Sequence, residues 1–256
     1  MADDSKQREY PESPSRRRFI RNSGYVIGGV AVGGVLGSLL PKKDSDNKEV
    51  KKDEGKNTTE KTENFTLALM YFTPEQYKIT EAATERIFPA DDNGPGAKDL
   101  GVAFFIDHQL SGEWGFNGRE YMQAPFFKGE KVQGYQGRLK RREIFDIGLR
   151  ELQNHSLSTY KKKFIELNED EQDAILKDFE EDKVNITTIS ASGFFKMLRS
   201  STLEGAYSDP LYSGNRNMDG WKMRDYPGSQ MAYTNVIDKD FTKIPPQSLR
   251  DHLGGH

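Results

Sequence analysis

Thr73-Pro74-Glu75-Gln76-Tyr77-Lys78-Ile79-Thr80-Glu81-Ala82-Ala83-Thr84-Glu85-Arg86-Ile87-Phe88-Pro89 is the stretch whose reading decides the fold. Thr73 is placed to cap a helix, and Pro74 suits the first turn, where its missing N–H is not needed. Gln76, three residues after the cap, completes a capping box. Tyr77, Ala83, Ile87 and Phe88 then supply a broad apolar face before Pro89 ends the run.

The same grammar recurs downstream. Asp99 is placed to cap a second helix carrying Val102, Phe105, Ile106, Gln109 and Leu110 at helical spacing. A third helix is predicted from about Gln136 to Lys163, with Leu139, Ile144, Ile147, Leu149 and Leu152 set among charged residues. Asn168-Glu169-Asp170-Glu171 caps a fourth that buries Ala174, Ile175, Leu176 and Phe179. A fifth spans about Ser192–Tyr207 and buries Phe194, Phe195, Leu198 and Leu203. No segment sustains strict alternation with β-branched enrichment, so little strand is expected. The prediction is an all-α, irregular helical domain of about five to six helices joined by long, ordered, aromatic and Gly-rich loops.

Two of those loops stand out. Gly112–Gly134 contains Trp114, Phe116, Tyr121, Phe126 and Phe127, and Ser208–Gly228 contains Trp221 and Tyr226. Loops beyond about 12–15 residues in a compact domain usually carry function or lack order, and so many aromatic residues argue for order.

Upstream of the helices the chain changes character. Ser15-Arg16-Arg17-Arg18-Phe19-Ile20-Arg21 is followed by Gly24–Leu40, a mildly apolar run with six glycines between Gly24 and Gly37. The pattern resembles the twin-arginine export signal, carried by Arg16, Arg17 and Phe19. Residues 1–41 are therefore read as an export signal, and no Ala-x-Ala site follows it, so removal of the leader and its retention as a membrane anchor both stand. Residues 42–64 are mainly Lys, Glu, Asp, Asn and Thr with Val50 as the one aliphatic residue, too polar to offset the entropy of ordering, and are read as a disordered linker. The folded domain is assigned to 65–256, where 24 basic and 29 acidic residues leave a net charge of −5. Setting aside leader and linker also explains a mean hydropathy of −0.80.

Composition narrows the chemistry. The 256 residues include no cysteine, which excludes thiolate nucleophiles, Cys-ligated zinc, iron–sulfur clusters, disulfides and covalent c-type haem. The near-neutral charge argues against nucleic acid as the main partner. No Gly-x-Gly-x-x-Gly run, phosphate-binding loop or Gly-x-Ser-x-Gly elbow is present in the folded part. His252 and His256 are separated by Gly254 and Gly255 and are read as a polar tail. His108 follows Asp107, but sequence neighbours on a helix face different ways, so a structural or surface histidine is expected rather than an oriented base. Asp91-Asp92-Asn93 lacks the spacing of a calcium loop and is read as a polar turn. No catalytic, cofactor-binding or metal-binding residue is assigned.

Ile87-Phe88-Pro89-Ala90-Asp91-Asp92-Asn93-Gly94-Pro95-Gly96-Ala97-Lys98-Asp99-Leu100-Gly101-Val102 continues into Phe105-Ile106-Asp107. With Glu204-Gly205-Ala206-Tyr207-Ser208-Asp209-Pro210, Gly214-Asn215-Arg216-Asn217, Gly220-Trp221 and Tyr226-Pro227-Gly228, it resembles the gluconate 2-dehydrogenase subunit 3 family. The resemblance implies a non-catalytic small subunit that supports assembly and twin-arginine translocation of a large, FAD-bearing partner of the glucose-methanol-choline type. A cytochrome subunit would accept electrons in such a complex, the membrane would be met through the N-terminal segment, and the location would be extracytoplasmic. Carried over as partner contacts are Asp209, Asn215, Arg216, Asn217, Trp221 and Tyr226, with closure of the domain's own core and turns as the equal alternative. A membrane-tethered extracellular binding module acting without a flavoprotein is the second functional reading.

Overall fold

The computed structural model describes residues 67–127, 129–130, 133 and 135–253. Both the export signal at Arg16, Arg17 and Phe19 and the linker lie outside these residues. Helix α1, Pro74–Ile87, starts where its capping box places it: the Thr73 N–H donates to Gln76 Oε1 at 2.9 Å and the Gln76 N–H to Thr73 Oγ1 at 3.2 Å. Helix α2, Val102–Ser111, is capped by Gly101 rather than Asp99. The chain from Gly96 to Gly101 winds into turns, with Leu100 N–H on Gly96 O and Gly101 N–H on Lys98 O, and leaves them through a left-handed Gly101 at φ +73°.

Helix α3, Arg141–Tyr160, begins five residues after the expected Gln136. Its N-terminus is set by Glu143, whose carboxylate reaches back to the Lys140 N–H at 2.7 Å, and residues before it stay outside the helix. It ends at a left-handed Lys161, so Lys161–Lys163 leave the helix and Phe164–Glu166 form a separate 3-10 turn. Helix α4, Glu169–Glu180, opens on the Asn168/Glu171 capping box, and α5, Ala191–Tyr207, on Ser190, whose hydroxyl accepts the Gly193 N–H. Two 3-10 turns, Pro210–Tyr212 and Arg216–Met218, then lead to short helices α6, Asp219–Lys222, and α7, Leu249–Leu253. The described part is thus all-α, with seven α-helices and no strand among the described residues.

Helix α5 lies at the centre, packed on α2 and α4, with α1 across α2, α4 and α5. Phe145 on α3 occupies the middle of an aromatic cluster, its ring 6.5 Å from Phe72, 6.2 Å from Trp114 and 5.7 Å from Phe194. Close approach of α3 to α5 depends on Gly148, where a Cβ would fall 2.2 Å from the Phe194 ring.

Polar clamps tie the elements together. Arg86 on α1 grips Asp173 on α4 through Nε at 2.7 Å and Nη2 at 3.0 Å, and reaches Glu169 at 2.6 Å. The hydrogen bond to Asp173 is the main reason its guanidinium is held above the usual range. Asp107 on α2 is fully buried and accepts the backbone N–H groups of Met70 at 2.6 Å, Tyr71 at 3.0 Å and Phe72 at 2.6 Å. One carboxylate therefore fastens the segment before α1 to the core.

Candidate functional site

Ser208–Gly228, expected to be an ordered loop, is wound into tight turns around the end of α5. Gly205 lets α5 lie against the Phe105 ring, where a Cβ would sit 2.8 Å away. The buried Asn215 staples the next turn: Nδ2 donates to Ser208 O at 2.8 Å and Oδ1 accepts the Gly220 N–H at 2.7 Å. Asp209 accepts the Leu211 N–H at 2.9 Å, the Ser248 hydroxyl at 2.6 Å and the Leu249 N–H at 2.8 Å, so it holds α7 against the loop. Trp221 is 6% exposed, with Nε1 donating to Tyr207 O at 2.8 Å and its ring edge-on to Tyr226 at 5.4 Å.

These contacts divide the six candidate interface residues. Asp209, Asn215 and Trp221 point inward and spend their polar atoms on this chain, which is the core-and-turn alternative for those three side chains. Arg216, Asn217 and Tyr226 are exposed on the same loop, Tyr226 at 52%. The backbone that presents Arg216 and Asn217 is strained. Ser213, Asn215, Asn217 and Met218 all have positive φ, at 72°, 46°, 57° and 60°, a conformation costing a non-glycine residue roughly 1–2 kcal/mol. The Arg216 guanidinium lies over Gly101, and its backbone N–H donates to Leu100 O at 3.1 Å.

His108 joins this loop to the N-terminal segment. Its Nε2 is 2.8 Å from Ala68 O and its Nδ1 2.7 Å from Ser213 Oγ, while Asp107 Oδ2 stands 3.9 Å away. The histidine is a structural bridge, with both ring nitrogens engaged. Asp91–Gly94 is a tight turn closed by reciprocal backbone hydrogen bonds at 3.1 and 3.0 Å. His252 Nε2 is 2.7 Å from Ser229 O, and His256 lies outside the described residues. Among the described residues no group of three or more His, Asp or Glu side chains is arranged to hold a metal ion, and no helix is long and apolar enough to cross a membrane.

A second feature escaped the sequence reading because three separate elements build it. The loop after α2, the start of α3 and the outer face of α5 enclose a groove made of two confluent cavities of about 740 and 820 Å³. Arg141 pins one wall: its N–H donates to Asn117 Oδ1 at 2.9 Å, its guanidinium donates to Trp114 O at 3.1 Å and pairs with Glu120, and it lies 5.0 Å from the Trp114 ring. Ser201 and Glu204 line the other wall from α5. The groove walls desolvate the Glu204 carboxyl and raise it above its usual range, against the attraction of Arg141. In the sequence this wall carries no distinct signal, because Ser200, Ser201 and Glu204 stand on a helix that mixes polar residues such as Lys196 and Arg199 with its apolar ones.

The family model of gluconate 2-dehydrogenase subunit 3 matches residues 74–228. The chain belongs to that family. No curated protein and no solved structure matches the chain significantly. The family match opens on the first residue of α1 and closes on Gly228, so it takes in the five long helices, the groove and the strained loop. The segment that Asp107 clamps and the arm ending in α7 lie outside it. As the family's name says, this is a subunit of a dehydrogenase complex.

Proposed function

We propose that the chain is the exported, non-catalytic small subunit of a flavin-dependent gluconate or related sugar dehydrogenase. Its partner is a large FAD-bearing subunit of the glucose-methanol-choline type, with a cytochrome subunit as the electron acceptor of the complex. The family match over residues 74–228 carries this reading. The Ser15–Arg21 leader supports the export part of it. Arg216, Asn217 and Tyr226 suit a partner surface: a guanidinium free of hydrogen bonds and ion pairs among the described residues, an amide and a half-exposed aromatic ring are all exposed between α5 and Gly228, the first two on a backbone whose strain the inward staples maintain. In this role the small subunit folds inside the cell, binds the folded flavoprotein, and lends it a leader that the twin-arginine route accepts.

The test is the paired substitution Arg16→Lys and Arg17→Lys. Both this chain and the flavoprotein should then accumulate inside the cell, read by fractionation and by loss of dye-linked sugar oxidation outside. Unchanged export of the flavoprotein would refute the carrier role.

A further inference from the structure

The loop between α2 and α3 leaves much aromatic surface in solvent. Phe116, Tyr121, Phe126, Phe127 and Tyr135 are all exposed, Tyr121 at 82% and Phe127 at 75%. The last four border the same cavity of about 740 Å³ and so share one side of the molecule. Contiguous apolar surface of this kind marks a contact with a protein or a membrane. Charge distinguishes the two. Residues 112–140 hold five Lys and Arg against three Glu, a net of +2 in a domain of net −5. Glu113 is paired with Arg119 at 3.2 Å and Glu120 with Arg141, whereas Arg138, Lys140 and Arg142 form no ion pair among the described residues. The Arg142 guanidinium instead lies 3.7 Å over the Phe116 ring, with the Lys140 ammonium 5.6 Å from it. Protein interfaces are depleted in lysine, while exposed rings beside unpaired cations match the aromatic belt and basic rim of proteins that sit on anionic lipid.

The point where the N-terminal segment joins the domain lies at the root of this loop. Ser111, the last residue of α2, places its Oγ 3.7 Å from Met70 Sδ, and Leu67, Leu69 and Met70 are exposed. We propose that this face rests on an anionic lipid bilayer, with the Tyr121, Phe126, Phe127 and Tyr135 rings among the headgroups and Arg138, Lys140 and Arg142 on the lipid phosphates. The rings supply apolar area at the level of the headgroups, and each cation adds attraction to the negative surface. A leader retained as an anchor would add a tether: residues 42–64 span roughly 25–30 Å as a flexible chain, which would hold the face near the bilayer at high effective concentration. The contact uses a different loop from Arg216, Asn217 and Tyr226 and does not rest on the flavoprotein assignment.

The full chain has no cysteine, so a Phe127→Cys variant takes a single environment-sensitive fluorophore at the face itself. On vesicles of phosphatidylglycerol and phosphatidylcholine the label should shift to the blue and be quenched by nitroxide lipids, and on pure phosphatidylcholine far less. A label placed by Asp170→Cys, on α4, should stay unquenched on both. Arg138→Gln combined with Lys140→Gln should weaken the partitioning read at position 127 roughly 10-fold, with the far-ultraviolet circular dichroism unchanged, and high salt should weaken it as well. Because the leader itself can hold the chain on a vesicle, the comparison of sites decides the matter. Quenching at both positions alike, at neither, or equally on the two lipids overturns the proposal. So does shielding of position 127 by the flavoprotein subunit with no vesicle present, which would make this face a protein contact.

Discussion

Replacing Asp107 by alanine should lower the stability of the chain by roughly 3–4 kcal/mol, the largest loss expected from any single polar side chain here. The carboxylate is fully buried and accepts three successive backbone N–H groups, from Met70, Tyr71 and Phe72. Hydrogen bonds to a charged group are worth more than neutral ones, and alanine leaves the Phe72 N–H without a partner inside the core. Phe72 is itself 4% exposed and packs on Phe145, so release of the segment also opens the aromatic cluster. Asp107→Asn should fall between. Its amide oxygen can replace Oδ1, which serves Tyr71 and Phe72, but its NH₂ would oppose the Met70 N–H that Oδ2 now accepts. Thermal unfolding followed by far-ultraviolet circular dichroism measures both, at about 2–4 °C per kcal/mol for a domain of this size. A loss below about 1 kcal/mol for the alanine variant would show that the segment before α1 is not held by this carboxylate.

Trp221→Ala should cost about 3–5 kcal/mol in the isolated chain, the usual range for removing a buried large aromatic. The indole fills the space between the end of α5 and Gly228, where φ is +69° and a Cβ would come within 2.5 Å of the ring. Its Nε1 also donates to the Tyr207 carbonyl, so truncation removes a hydrogen bond as well as leaving a cavity. Arg216→Ala provides the contrast. That side chain is exposed, so stability should change by less than about 0.5 kcal/mol while affinity for the flavoprotein subunit falls. The two variants separate the inward half of the loop from its outward half. If Trp221→Ala left the melting temperature unchanged and abolished only partner binding, the burial described here would not govern its role.

Much of the scaffold is written locally. Thr73 with Gln76 and Asn168 with Glu171 are capping boxes visible at three-residue spacing, and both helices start where those residues place them. Errors arise where a tertiary or unusual contact overrides the local signal. Asp99 has the chemistry of a cap, yet the turn closed by Gly96 and Lys98 carbonyls moves the helix start to Gly101. The start of α3 is hidden because its cap position is a lysine, and the stabilising carboxylate comes from Glu143. Trp221 cannot be assigned to core or surface from sequence, since aromatic residues serve both, and the Tyr207 carbonyl that receives its N–H is 14 positions away. The groove is the least legible feature. Trp114, Arg141 and Ser201 come from three elements that only tertiary packing brings together.

Isolation of the tagged, full-length chain from native membranes, with mass and flavin measured on the same peak, tests the central claim most directly. A stable complex containing a flavin-bearing dehydrogenase subunit, well above the 29.1 kDa of this chain alone, is the predicted result. Elution of the chain by itself, with that flavoprotein present in the same extract but unbound, would contradict it.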